Sequence, residues 1–419
     1  MSLAKNVEFL SRLPKLNGFS GFGAYGFGLD SRSPLAEVTD FGSNPGALRM
    51  FTFVPDSLQK RPALVVVLHG CGQTAAGYDV GAGWSTLANR YGFALLMPEQ
   101  RASNNANTCF NWFNPADTAR EHGEARSIRQ MIARMVRDHK IDTYRIYITG
   151  LSAGGAMTSV MLATYPEVFA GGAIIAGLPF GVATNLREAV SAMMQPQARP
   201  ARQLGDLVRG ASKHRGPWPK LSVWHGSADR TVNPANADEI VKQWLDVHRL
   251  PAAPMTTGIV DGHPHQIWWN ADGATTVESY TITDMGHGTP LGVADNDERY
   301  GTEGAFQIEA GISSSYHIAN FFGLTGRVRQ PKASVADSPS ARLIPLVSPL
   351  SVKVPDLAKV LRPLTTLEHR EEPRPEASGE PRSEPARDKR PRRTVDVSAV
   401  ITRALTAAGL MKDGGSDER

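Results

Sequence analysis

Five short segments constrain the fold more than anything else in the chain: "ALVVVLHG" at 63–70, "FALLMPE" at 93–99, "RIYITG" at 145–150, "GAIIAG" at 172–177 and "LSVWHG" at 221–226. A half-solvated strand alternates apolar and polar residues, and these hardly do. They fit strands buried on both faces of a mainly parallel sheet. Two further strands are expected at 48–54 and at 277–282, "VESYTI". The stretches between carry helical periodicity; in 126–138, Ile128, Met131, Ile132, Met135 and Val136 fall on one helix face. Alternating β and α units of this kind predict an α/β domain with helices flanking the sheet.

At 419 residues, 41% of them hydrophobic, the chain can form one large domain with an appendage. The expected domain spans 46–325, preceded by a Gly- and Ser-rich irregular leader over 1–45. Residues 178–220 interrupt the alternation with helical sequence. They read as a small cap over the strand ends, where open α/β sheets bind ligands, or as a plain connecting helix pair. Residues 326–393 are rich in Pro, Glu and Arg and cannot offset their ordering entropy by burial, so a disordered linker is expected there. Within 394–412, Val397, Val400, Ile401, Ala404, Leu405 and Ala408 make the apolar stripe of a short amphipathic helix. Its docking surface could be its own domain, a partner or an apolar surface.

The net charge of +4 is small, and the basic residues of the last quarter are interspersed with acids, which argues against a nucleic-acid partner. No run of about 18 apolar residues exists, so no integral membrane segment is expected. The first residues, "MSLAKNVEFLSRLPKLNGFSGFG", hold no continuous apolar core of a secretory signal, which makes the cytoplasm the default location. Only two cysteines occur, Cys71 and Cys109, at a spacing that matches no zinc motif. Each follows a candidate strand, so both should lie near one edge of the sheet. A disulfide and two buried thiols are both compatible with that placement.

The chemistry centres on "YITGLSAGGAM", residues 147–157. Gly150, Leu151, Ser152, Ala153 and Gly154 form a Gly-x-Ser-x-Gly pattern directly after an apolar strand and before a helical run. A sharp strand-to-helix turn of this type presents the serine hydroxyl at a helix N-terminus in strained backbone geometry. A serine needs a base, and the base needs an orienting acid. Asp229, just past the strand in "SVWHGSADRTV", fits the acid, and His287, past the strand in "SYTITDMGHG", fits the base. Attack on a carbonyl also needs preorganised N–H donors. Ala153, after the nucleophile, and Cys71, in the Gly-rich loop of "VVVLHGCGQT", are the candidates. The scheme calls for no metal and no cofactor.

Other groups compete for these roles. His225, four residues before Asp229, reads as a packed, hydrogen-bonded residue more than as a base. His263 and His265 in "DGHPHQIWW" precede the last strand and read as a rim or turn of the site. Asp284 is too close in sequence to His287 for the usual acid, and His139 at a helix end suits the surface. Trp112 and Trp269 could bind an acyl chain, with core packing as the alternative for each.

The segments "LVVVLHGCGQTAAGYDVGAGWSTLANRYGFALLMPEQ", "CFNWF", "IDTYRIYITGLSAGGAMTSVMLATYPEVFAGGAIIAGLPFG", "VWHGSADRTVNPANADEIVKQW" and "GHG" together resemble the esterase family of poly(3-hydroxybutyrate) depolymerases, which has feruloyl and acetylxylan esterase relatives. The resemblance runs over roughly 48–323. It implies an α/β-hydrolase fold, Ser152, Asp229 and His287 as triad, Cys71 and Ala153 as oxyanion donors, and no metal. It also favours a Cys71–Cys109 bridge and, as for secreted members, an extracellular location as the alternative to the cytoplasm. The expected function is therefore a serine carboxylic-ester hydrolase acting through an acyl-enzyme, on poly(3-hydroxybutyrate), 3-hydroxyalkanoate oligomers or small esters. The rivals are a feruloyl- or acetylxylan-type polysaccharide esterase and, from another class, a polyester-granule binding protein with vestigial activity.

Overall fold

The computed structural model describes residues 32–326. The expected linker over 326–393 and helix over 394–412 lie outside the described residues, apart from residue 326, as does most of the expected leader. Within them runs one ten-stranded sheet: β1 (Ala36–Val38), β2 (Arg49–Phe53), β3 (Leu64–Leu68), β4 (Ala94–Glu99), β5 (Ile146–Leu151), β6 (Gly171–Ile175), β7 (Lys220–Gly226), β8 (Thr256–Val260), β9 (His263–Trp269) and β10 (Thr275–Ile282). Their spatial order is β1-β2-β4-β3-β5-β6-β7-β10-β9-β8. β11 (Thr289–Leu291) and β12 (Gln307–Glu309) make a separate parallel pair.

The centre of the sheet, from β4 through β3, β5, β6 and β7 to β10, is parallel throughout. Antiparallel strands close both sides, β2 and β1 on one and β9 and β8 on the other. The seven expected strands all form, shifted by two residues or fewer at each end. Their side chains still alternate, but between two dry faces. Leu64, Val66, Leu68, Ile146, Ile148, Leu221 and Val223 pack beneath the helices Gly123–His139, Ala153–Thr164 and Ala235–His248. Val65, Val67, Tyr147, Leu151, Trp224 and Ile282 pack on the other side, against Ala75–Ala82, Trp84–Tyr91 and Ser314–Phe321. This mainly parallel sheet covered by helices on both faces is the α/β-hydrolase fold.

Two expectations need correction, and one can be filled in. The leader is not irregular throughout, because Ala36–Val38 pairs with β2 and Phe41 is buried. His263 and His265 are not in a rim or turn: both lie inside β9, His265 paired with β8 and β10 and His263 with β8. The cause is local, since Asp261 and Gly262 both take positive φ, 48° and 84°, and close a two-residue hairpin. An Asp-Gly pair between strand-like runs is the sequence signal for that turn. Finally, 178–220 contains two helices, Leu186–Met194 and Ala201–Gly210. Asn233 and Asn236 tie the first to the loop after Asp229, through the carbonyls of Met193, Met194 and Ala192. The second packs along Ala235–His248, whose Gln243 donates to Leu204 O.

Candidate active site

β5 ends at Leu151, the helix begins at Ala153, and Ser152 between them holds φ 57° and ψ −118°. A non-glycine residue there is strained by about 1–3 kcal/mol, and surrounding structure must hold it. Ser152 N–H donates to Ile175 O at 2.9 Å, pinning the turn to the end of β6. The flanking glycines are required by contact. A Cβ on Gly150 would stand 2.5 Å from Gly154 C, and one on Gly154 would stand 2.3 Å from Leu68 O and 2.5 Å from His69 O. The helix start is therefore pressed against the end of β3, where the Gly-rich loop begins.

The candidate acid and base reach the same edge by register. Leu151 pairs with Ile175, Ile175 with Trp224, and Ile282 with Gly226, so β5, β6, β7 and β10 finish side by side. Asp229 follows β7 by three residues and His287 follows β10 by five. Two backbone bonds knit these loops: Ser227 N–H to Ile282 O at 2.9 Å and Ala228 N–H to Met285 O at 3.0 Å. His287 Nδ1 then lies 2.7 Å from Asp229 Oδ2. The other oxygen, Oδ1, accepts the N–H groups of Thr231 at 2.8 Å and Val232 at 2.9 Å. Burial pushes the Asp229 carboxyl up, but hydrogen bonds from His225 and His287 outweigh it and hold the group well below the usual carboxylate range. An ionised Asp229 fixes the Nδ1–H tautomer of His287, which leaves Nε2 for proton transfer. Among the described residues no hydrogen bond joins Ser152 Oγ to His287; contacts of this kind tighten when substrate binds.

The loop after β3 is held from beneath. Gln100 N–H donates to His69 Nε2 at 3.1 Å, so His69 carries its proton on Nδ1 and donates it to Gly70 O at 2.8 Å. Burial keeps that imidazole neutral, with its pKa lowered to about 4. The bond orients the peptide whose N–H belongs to Cys71. Gly72 N–H is taken by Asn107 O at 2.8 Å, and Cys71 is joined to Cys109 by a disulfide, which decides between the two states left open for the pair. The Ala153 N–H belongs to the first helical turn, whose donors have no partner within the helix.

Glu124, fully buried on the helix behind this loop, accepts from Gln100 Nε2 at 2.5 Å, Asn111 Nδ2 at 2.8 Å and Asn111 N at 2.9 Å. Gln100 Nε2 also donates to Cys109 O at 3.0 Å. One buried carboxyl group therefore anchors the whole segment from Gln100 to Asn111 that carries the second cysteine. Sequence reasoning missed this group, because a Glu in the first turn of a helix normally faces solvent.

The remaining candidates separate. Trp112 is packed into the core, edge-on to Phe113, three residues past Cys109. Trp269 is not at the site: it pairs with Thr275, at the opposite end of β10 from Ile282, about 20 Å away along the strand. Its neighbour Trp268 is buried and donates Nε1–H to Ala253 O. His265 Nε2 lies 3.2 Å from Glu278 Oε2 while its ring stacks on Tyr280, and His263 bonds Ala310 O and Thr283 N. Asp284 takes part through its backbone, N–H to Ser227 Oγ. His139 ends the helix Gly123–His139.

Residues 49–258 match the family described as esterase PHB depolymerase. Poly(3-hydroxyalkanoate) depolymerase C of Paucimonas lemoignei is 47% identical over 293 residues, 70% of this chain and 70% of that protein. The chain belongs to the PHB depolymerase esterase family. Feruloyl esterase B of Neurospora crassa, 35% identical over 265 residues, matches 61% of this chain and 88% of its own length. Among solved structures, the acetyl xylan esterase from Aspergillus awamori superposes with a TM-score of 0.59 at 25% identity, over 70% of this chain and 100% of that one. This member of the family is accordingly a carboxylic-ester hydrolase, and no helix among its described residues is long and apolar enough to cross a membrane.

Proposed function

We propose that Ser152, Asp229 and His287 are the catalytic triad and that the esters cleaved are those of 3-hydroxyalkanoate polyesters or their oligomers. The observation that carries the triad is the 2.7 Å bond from His287 Nδ1 to buried Asp229, formed at the strand edge where the strained Ser152 turn lies. In this reading Ser152 Oγ attacks the ester carbonyl and His287 Nε2 takes its proton. The oxyanion is held by the N–H groups of Ala153 and Cys71. His287 returns the proton to the departing alcohol, and water, deprotonated by the same imidazole, releases the acid from Ser152. The substrate class is supported by the 47% identity to a poly(3-hydroxyalkanoate) depolymerase. A feruloyl- or acetylxylan-type specificity is the second reading, favoured by the near-complete coverage of those relatives.

We place the catalytic domain at 46–325, with the stretch following β6 as the part of the 178–220 insertion that borders the strand ends, and Trp112 as a candidate wall for the acyl chain. The disulfide suits an oxidising compartment, which favours an extracellular location over the cytoplasmic default. The amphipathic segment 394–412 would bind an apolar surface. Its removal should then lower adsorption to polyester while leaving turnover of soluble esters unchanged.

The test is hydrolysis of p-nitrophenyl butyrate, a 3-hydroxybutyrate trimer and methyl ferulate by the wild type and by Ser152→Ala. Turnover of the trimer in preference to ferulate, lost by several orders of magnitude in Ser152→Ala, is expected. Preference for ferulate would move the assignment to the polysaccharide esterases, and an active Ser152→Ala would end the triad reading.

A further inference from the structure

His225 is bonded in a way that the triad scheme does not use. It lies at the end of β7, four residues before Asp229, and is 3% exposed. Its Nε2 stands 2.9 Å from Val232 O and 3.2 Å from Asp229 Oδ2. Because Val232 O can only accept, Nε2 carries the proton. Its Nδ1 is buried and has no hydrogen-bond partner among the described residues. A second proton there would bury an N–H with nothing to receive it. The ring is therefore held as a donor through Nε2.

That donor meets the same carboxylate oxygen as His287. Asp229 Oδ1 is saturated by two backbone N–H groups, and Oδ2 is shared between His287 Nδ1 at 2.7 Å and His225 Nε2 at 3.2 Å. Four donors from three segments thus hold one buried side chain. Without the contact from His225, rotation about the Cβ–Cγ bond of Asp229 would be opposed on the Oδ2 side by His287 alone, the residue whose own orientation Asp229 is meant to set.

We propose that His225 is a positioning residue: its Nε2–H, shared between Val232 O and Asp229 Oδ2, orients the carboxylate for His287 and tempers its hold on the imidazolium. This rests on the reading of Asp229 and His287 as acid and base. A donor on Oδ2 weakens the carboxylate as an acceptor, so losing it should strengthen the bond between Asp229 and His287, which the acid limb of kcat/KM reports. From the neighbouring helix Ala235–His248, Asp238 interacts electrostatically with His225 and with Glu239 and Lys242; it is present in every variant below and so does not move the comparison.

The experiment uses the full chain, p-nitrophenyl butyrate and four substitutions. His225→Leu removes the donor. His225→Asn keeps an amide too short to reach Oδ2, and serves if the Leu variant fails to fold. His225→Gln places an amide N–H near the position of Nε2. We expect kcat to fall roughly 10- to 100-fold in the Leu and Asn variants with KM within about twofold. The acid limb of kcat/KM should move to higher pH in both, and His225→Gln should restore most of kcat and the wild-type limb. If the Leu or Asn variant folds with wild-type kcat and limb, or if activity falls only in proportion to folded protein with the limb unmoved, the proposal is overturned. Asp229→Asn, run in parallel, separates the two readings. An active Asp229→Asn sinks the triad assignment itself, whatever His225 does.

Discussion

His287 Nδ1 and Asp229 Oδ2 stand 2.7 Å apart, though 58 residues separate them in the chain. The two come from loops after neighbouring strands, β10 and β7, that end in register at Ile282 and Gly226. Nothing local to either residue brings them together; the parallel pairing does.

Ser152 sits at φ 57°, and its substitution should show the strain. Ser152→Gly removes both the proposed nucleophile and the side-chain penalty at that backbone conformation. Its melting temperature should rise, by the equivalent of about 1 kcal/mol, while hydrolysis disappears. A melting temperature below that of the wild type would argue that the turn is unstrained.

Gly154 lies in a helix, where alanine is normally favoured by about 1 kcal/mol. A Cβ at this position would meet Leu68 O at 2.3 Å and His69 O at 2.5 Å. Gly154→Ala should therefore destabilise the domain, by about 2 kcal/mol or more, and lower kcat by forcing the elbow away from the loop that carries Cys71. Denaturant unfolding checks the sign, because helix propensity alone predicts the opposite one.

The Cys71–Cys109 bridge closes a loop with a sequence separation of 38, and in the chain-entropy picture contributes about 4 kcal/mol. Reduction should lower the melting temperature. It should also lower kcat more than it raises KM, since Cys71 provides the proposed oxyanion donor. Kinetics of the intact chain before and after reduction, with alkylation to prevent reoxidation, would show whether the loop keeps its function without the bridge.

Glu124 titrates out of its normal range. Burial, with a smaller push from Asp117, raises its carboxyl from 4.5 to about 8 against the hydrogen bonds from Asn111 and Gln100. Between those values the folded state holds a proton that the unfolded state has released, so stability falls as pH rises. The contribution is complete below about pH 4.5 and lost as pH passes through about 8. Glu124→Gln should flatten this part of the stability profile between pH 5 and 8, measured by urea unfolding at several pH values. An unchanged slope would place the titration elsewhere.

Trp269 marks the limit of reasoning by proximity in sequence. As an aromatic side chain it is a candidate for the acyl site, yet its pairing with Thr275 puts it at the opposite end of β10 from Ile282. Cys71 and Cys109 show the reverse: their position after adjacent parallel strands was legible, while their covalent state was not. His263 and His265 lie between these cases, since the Asp261-Gly262 turn that folds them into β9 was present in the sequence as a readable signal.

The buried parallel strands, the turn at Ser152 and the order in which Asp229 and His287 follow it were all legible in the amino-acid order. Those features depend on apolar periodicity, on glycine at crowded turns and on chain order, all of which are local or topological. Tertiary structure alone decided that His225 shares the Asp229 oxygen, that Glu124 is buried beneath the disulfide loop, and that Trp269 is remote from the site. Whether a polar side chain is solvated or held depends on which distant segment covers it. That covering is settled only when the sheet closes.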